Sequence, residues 1–294
     1  MKPAAFSYAR ATTVEEALQL LDLHGTESKL LAGGQSLIPL LNFRLARPSV
    51  LIDINPVRSL DFIRERTDGT IEIGALTRQR DVERSELVAR ACPLLAAAVG
   101  HIGHPQIRNR GTVGGSLAHA DPAAELPLAL VALNGEIVAR SGKGTRTIAG
   151  SDFFLGLWET TLGPDELVEL IRFPALSPGS GWSFAEVTHR AGDFAVVAVA
   201  VVLTVGAAGQ ITSCSVALSG ASSRPTRLTD LESNLLGSVC SNEAFARAGE
   251  LAEALAFRAD IRGSGGYRRR IAVQFVRDGL ARASEMALRP GNSR

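Results

Sequence analysis

Cysteine is scarce in this chain: Cys92, Cys214 and Cys240 are the only three in 294 residues, far apart and never in CxxC spacing. That excludes a disulfide framework, and it leaves no ligand set for a zinc site or for an iron–sulfur cluster held by this chain alone. A reducing compartment is expected. An excess of charge of either sign is also missing. With 31 basic and 30 acidic residues the formal net charge is +1, which gives no footprint for nucleic acid or for an acidic membrane surface. The most apolar run, FAVVAVAVVLTV (194–205), falls short of the roughly 18 residues of a spanning helix, so no membrane insertion is expected. The opening MKPAAFSYAR has no apolar core of the length a secretory signal requires. A cytoplasmic location follows.

What is present is the composition of a soluble globular protein, 46% hydrophobic and 21% charged, with enough chain for one large domain or two ordinary ones. TTVEEALQLLDLH (12–24) opens like a helix: threonine can cap it, Glu15 and Glu16 sit in the first turn, and Ala17, Leu20, Leu21 and Leu23 supply an apolar face. KLLAGG (29–34), LIDI (51–54), TIEIGAL (70–76) and LVELIRF (167–173) read as strands. Residues 80–102 read as a helix interrupted at Pro93, and 126–141 as an apolar helical run and a strand about an Asn-Gly turn. The Pro-, Gly- and Ser-rich PALSPGSG (174–181) is the expected domain boundary. Beyond it the valine-dominated 194–205 reads as a strand buried on both faces, followed by a strand at 211–219 and helices at 242–257 and 268–287. Irregular mixing of strands and helices indicates an α+β protein.

Two places stand out: LAGGQS (31–36) and GTVGGS (111–116), each a Gly-Gly pair followed within two positions by a serine. One such pair can serve a turn and nothing more. Two can bring bare amides to a diphosphate from opposite sides, with a serine hydroxyl beside each. On that reading a valine at Gly34 or Gly115 would occupy the place of a phosphate. Neither the GxGxxG of a Rossmann fold nor the GxxxxGK[ST] of a P-loop occurs, so any dinucleotide binds on another plan.

The segments AGGQSLIPLLNFRLARPSVLIDI (32–54), IEIGALTR (71–78), GHPQIRNRGTVGGSLAHADPAAELP (103–127) and GDFAVVAVAV (192–201) together resemble the FAD-binding medium subunits of molybdenum hydroxylases. That family includes the medium subunit of carbon monoxide dehydrogenase and the flavin domain of xanthine dehydrogenase. The resemblance implies a two-subdomain FAD-binding fold of the vanillyl-alcohol-oxidase (PCMH) type over 1–176, split near 56, then a small α+β C-terminal domain over 177–288 and a tail at 289–294. It also implies non-covalent FAD. Leu31, Ala32, Gly33, Gly34, Gln35 and Ser36 would form the first diphosphate loop, and Thr112, Gly114, Gly115 and Ser116 the second. Many relatives carry asparagine at the position of Ser116. Glu125, with Asp121 as a further polar contact, would meet the sugar-like chain of the flavin, although a helix start at Asp121-Pro122 explains the same acids. Ile102 would lie on the adenine, the backbone of Val168 near the cofactor, and Phe194 near the isoalloxazine. His119 is expected to be structural or a polar group behind the site, and Arg268-Arg269-Arg270 to be solvated or at a subunit contact.

The function implied is electron transfer. Molybdopterin and two iron–sulfur clusters would sit in a large and a small partner subunit, as a dimer of heterotrimers, and this chain would pass electrons through FAD to an external acceptor. Its own scarcity of cysteine agrees with that division. Relatives specific for carbon monoxide often carry histidine in place of Gln35. The alternative is a self-contained FAD oxidase or dehydrogenase, which would need a base beside the flavin; with only two tyrosines in the chain, none is evident.

Overall fold

The computed structural model describes residues 1–289, so all but the first residue of the expected tail lies outside the described residues. Three short strands, β1 (Ser7–Arg10), β2 (Ser28–Leu31) and β3 (Val50–Asp53), pair in parallel in the order β1-β3-β2. Parallel neighbours need crossovers. These are α1 (Val14–His24) and a loop carrying the short helix α2 (Leu37–Asn42). Thr13 caps α1 by accepting from Glu16 N–H, and the Glu16 carboxylate reaches back to Thr12 N–H at 2.6 Å. The buried stripe of α1 is Val14, Ala17, Leu18 and Leu21, so the face is rotated from the expected one and Leu23 points to solvent.

The middle region holds β4 (Ile63–Glu65), β5 (Ile71–Gly74), β6 (Glu136–Ser141), β7 (Gly144–Ala149), a small hairpin of β8 (Phe154–Gly156) and β9 (Glu159–Thr160), and β10 (Leu167–Phe173). The hairpin stands apart, and the rest form an antiparallel sheet in the order β4-β5-β10-β6-β7. Its helices are α3 (Gln79–Arg84), α4 (Glu86–Ala91), α5 (Pro93–His101), α6 (Pro105–Arg108), α7 (Val113–His119), α8 (Glu125–Ala132) and α9 (Gly150–Phe153). The helix expected over 80–102 with an interruption at Pro93 is broken there and once more, at Ser85. Ser85 leaves helical geometry so that its hydroxyl can accept from Val88 N–H. Pro93 opens α5, where its missing N–H costs nothing. Every residue of α8 is buried, and the Asn134-Gly135 turn leads from that helix into β6.

After residues 174–179 come β11 (Ser180–Val187), β12 (Val197–Val205), β13 (Ile211–Ser219) and β14 (Thr226–Arg227), an antiparallel sheet in that order. Helices α10 (Thr229–Leu235), α11 (Asn242–Glu253) and α12 (Gly265–Ala287) complete the chain. Strand β12 is buried on both faces, and the alternation in VAVAVVLTV is why. Val197, Val199, Val201 and Leu203 share a core with α11 and α12, whereas Ala198 and Ala200 face the core containing α8. One set of side chains is bulky and branched; the other lets sheet and helix approach closely.

The basic cluster at 268–270 is not uniformly solvated. Ser264 caps α12, which turns Arg268 inward to 0% exposure, while Arg269 and Arg270 stay outside. The Arg268 guanidinium donates to the carbonyls of Val196 and Gly220 and to the Asp260 carboxylate, tying three turns together. Among the described residues no helix is long and apolar enough to cross a membrane.

Candidate functional site: a cleft between the glycine loops

A cleft of about 770 Å³ opens between the N-terminal sheet, α7, the start of α8 and β10. All of the predicted site residues line it except Leu31. The Leu31 carbonyl turns away to accept from Ile54 N–H and from Asn55, and its side chain lies beneath Gly34.

The first loop leaves β2 at Ala32. Among the described residues, none of the N–H groups of Gly33, Gly34, Gln35, Ser36 and Leu37 finds an acceptor. Gly34 has φ +72, a left-handed conformation that glycine adopts without cost. Gln35 folds its amide back onto the Gly33 carbonyl at 3.2 Å, and the Ser36 hydroxyl makes no capping bond. Five successive donors without acceptors are costly in a protein unless water or a ligand anion meets them.

The second loop is built differently, which corrects the expectation of two matching amide clasps. Its amides are consumed internally: Val113 N–H donates to Thr77 O (3.0 Å), Gly114 N–H to Ala75 O (2.9 Å), Gly115 N–H to Thr112 Oγ1 (3.2 Å) and Ser116 N–H to Thr112 O (3.1 Å). What this loop can give the cleft are hydroxyls. Thr112 Oγ1 accepts from Gly115 and still has its own proton to donate, and the Ser116 hydroxyl has no partner among the described residues.

The glycines, moreover, serve the loops themselves. A Cβ at Gly33 would lie 2.3 Å from Arg110 O and 2.8 Å from the Gly111 Cα, and one at Gly114 would lie 2.6 Å from the Ala75 Cβ. At Gly34 and Gly115, where valine was expected to displace a phosphate, the nearest atoms are the Ile38 side chain and Thr112 Oγ1. The main chain is bare first of all so that the two loops can touch.

Glu125 closes the cleft opposite. It is 3% exposed, its carboxyl has no side-chain partner among the described residues, and burial pushes it up to about 8, helped by Glu186 and Asp121. Asp121 does not start the helix; its Oδ1 accepts from Ala123 N–H in the turn before α8. Ile102 is buried at the end of α5, Val168 lies at a bulge in β10, and Phe194 is 37% exposed beneath the Arg262 guanidinium, 5.3 Å from the ring centroid. A Cβ on Gly192 would stand 2.8 Å from His104 Cε1, so the segments carrying Ile102 and Phe194 meet at one end of the cleft.

Sequence reasoning missed Gln79, whose buried Oε1 in the cleft wall has no partner among the described residues, and Trp158, stacked on His119 with ring centroids 6.3 Å apart. Burial lowers the basicity of His119. Nothing local marks Gln79; Trp158, the tip residue of the β8–β9 hairpin at φ +57, was findable only as an odd aromatic in a turn. The arrangement fits FAD: free amides and hydroxyls for a diphosphate, an acceptor-capable carboxyl for a polyol, and an apolar end for a ring system.

Comparison with known proteins decides the family. Residues 4–176 match the FAD binding domain in molybdopterin dehydrogenase, and residues 182–283 match the CO dehydrogenase flavoprotein C-terminal domain. The chain belongs to this family of flavoproteins. It is similar to the 6-hydroxypseudooxynicotine dehydrogenase complex subunit alpha of Paenarthrobacter nicotinovorans, 41% identical over 98% of this chain and 97% of that one. The nicotine 6-hydroxylase medium subunit of the same organism is 40% identical over 96% and 99%. Among solved structures, a carbon monoxide dehydrogenase from Hydrogenophaga pseudoflava that lacks the Mo-pyranopterin moiety of its molybdenum cofactor superposes with a TM-score of 0.94 at 37% identity, covering 97% and 99%. As a member of the molybdopterin-dehydrogenase flavoproteins the chain is an oxidoreductase component that binds FAD, and its mixed helix and sheet architecture is theirs.

Proposed function

We propose that this chain is the electron-transferring FAD subunit of a cytoplasmic molybdenum hydroxylase. Its partners would be a small subunit with two iron–sulfur clusters and a large subunit with the molybdopterin, as a dimer of heterotrimers. The observation that carries the reading is the row of five amides from Gly33 to Leu37, without acceptors among the described residues, in a loop that lines the same cleft as the buried Glu125 carboxyl. Bound FAD supplies the chemistry, taking up electrons and releasing them one or two at a time. The residues of the chain bind and orient. The amides of Gly33–Leu37 and the hydroxyls of Ser36, Thr112 and Ser116 hold the diphosphate, and Glu125, neutral at pH 7, offers a proton as well as an acceptor to the polyol chain.

Ile102 and Phe194 meet at one end of the cleft, which favours placing both on the isoalloxazine rather than one on the adenine. Phe194, partly exposed, screens that end from water. No side chain needs to act as acid or base on a substrate, and the relatives named above, whose names span nicotine derivatives and carbon monoxide, support a subunit indifferent to the substrate of its complex. Purifying the chain alone and with co-expressed partners tests this. The expected result is molybdenum and iron in stoichiometric complex, with flavin that substrate bleaches only in the complex. Bleaching of the isolated chain would overturn the reading and favour a self-contained oxidase.

A further inference from the structure

A chain of hydrogen bonds through two residues that do not line the cleft joins the two glycine loops. Asn55 follows β3, and its Nδ2 donates to Ala32 O at 2.9 Å, to Leu31 O at 3.2 Å and to Asp53 Oδ1 at 2.7 Å. Its Oδ1 accepts from Arg78 Nη2 at 2.8 Å. Three acceptors on one side and a guanidinium on the other fix which way the amide points. Arg78 then spans to the second loop: its Nη1 donates to Arg110 O at 2.6 Å. That carbonyl is the atom on which Gly33 rests. The anchor at the far end is Asp53, whose Oδ2 accepts from the Tyr8 hydroxyl at 2.6 Å. Burial works against the Asp53 charge, but the bonds from Tyr8 and Asn55 hold its carboxyl below the usual range. Neither Asn55 nor Arg78 lines the FAD cleft; both line a separate, smaller surface cavity of about 460 Å³ with Tyr8 and Asp53.

We infer that Asn55 and Arg78 are positioning residues for the diphosphate of FAD: one amide and one guanidinium fix the spacing of the two loops whose donors face the cleft. The inference rests on the FAD reading above. Its chemistry is geometric. Asn55 holds the Leu31 and Ala32 carbonyls back, so that the amides that follow point forward, and the planar fork of Arg78 reaches the Asn55 carbonyl and the Arg110 carbonyl at once. A lysine in its place would keep the charge and lose the span. No residue of this network needs to touch the cofactor.

The test is flavin binding to apoprotein of the full chain, using FAD and riboflavin as probes and the melting temperature of the apoprotein as a control. Asn55→Leu and Arg78→Met are expected to raise the Kd for FAD by about tenfold or more, the scale of one charge-assisted bond lost. The Kd for riboflavin, which has no diphosphate, should stay at the wild-type value. Arg78→Lys should behave like Arg78→Met, and Tyr8→Phe, at the outer end, should stay within about twofold of wild type. Equal weakening of FAD and riboflavin would reduce the network to general scaffolding and overturn the inference, as would a wild-type Kd for FAD in Asn55→Leu or Arg78→Lys. Should Asn55→Leu fail to fold, Arg78→Lys decides. If the wild-type chain itself bound neither flavin, the FAD reading would fall instead.

Discussion

Gly33→Ala is the smallest change that interrogates the contact between the loops. Gly33 does not have a positive φ, so alanine brings no backbone strain, and the effect is steric alone. The new methyl would sit 2.3 Å from Arg110 O, against a normal contact of 3.4 Å or more, and the obstructing atoms are backbone. The loops must part by roughly an ångström, which in well-packed protein costs ~1–3 kcal/mol. The same displacement takes a phosphate held at hydrogen-bond distance from both loops out of reach of one of them. Losing one charge-assisted bond of ~1.5–3 kcal/mol weakens binding ~10- to 100-fold. The assay is titration of apoprotein with FAD, followed by flavin fluorescence, beside urea denaturation without FAD. Gly34→Ala is the comparison: it incurs a left-handed strain of ~1–2 kcal/mol, but its methyl meets only the movable side chains of Ile38 and Leu31. Gly33→Ala should therefore lose more affinity than Gly34→Ala. The reverse order, or a wild-type Kd in Gly33→Ala, refutes the argument that loop spacing sets the site.

Glu125 and Arg268 give two further expectations. The Glu125 carboxyl, ordinarily near 4.5, stands at about 8 in the folded apoprotein. Between those values the folded state holds a proton that the unfolded state has released, so this group's share of stability is complete below 4.5 and is lost as pH rises to 8. The loss runs at about 1.4 kcal/mol per pH unit at most. Glu125→Gln should remove that slope from urea midpoints of apoprotein measured between pH 5 and about 8.5, and superimposable profiles for the two proteins would contradict the assignment. Arg268→Leu takes the guanidinium from two carbonyls, while Asp260 keeps Arg258 and the Arg262 N–H, and should cost about 3 kcal/mol in the same denaturation assay; a loss below about 1 kcal/mol would mean the turns hold without it.

The parts of this protein that announced themselves in sequence are those where composition and conformation coincide. Strand β12 was legible because valine and alanine alternate, and α11 because its apolar residues recur at helical spacing. The two glycine loops were legible as a pair, and the cofactor through family likeness. Other features depend on contacts distant in sequence. Arg268 looks like one arginine in an exposed trio until the cap at Ser264 sets the rotation of α12. The break at Ser85 has a local cause, its hydroxyl capping the next helix inside an unbroken apolar periodicity, whereas the break before Pro93 was legible from the proline itself. The unequal chemistry of the loops was invisible because the amides at 113 and 114 are taken by carbonyls of residues 77 and 75, far earlier in the chain.

The alternation in β12 has a consequence for how the molecule can be divided. Ala198, Ala200 and Ala217, with Trp182 and Phe184 beside them, belong to the same apolar interior as α5 and α8. A fragment starting near 177 would carry that inner surface into water as a sticky plate, and a fragment ending near 176 would leave α8 half undressed. The two segments recognised as separate families are therefore not interchangeable cassettes. Grafting a foreign C-terminal segment onto this flavin-binding half would require importing its alanine row along with it.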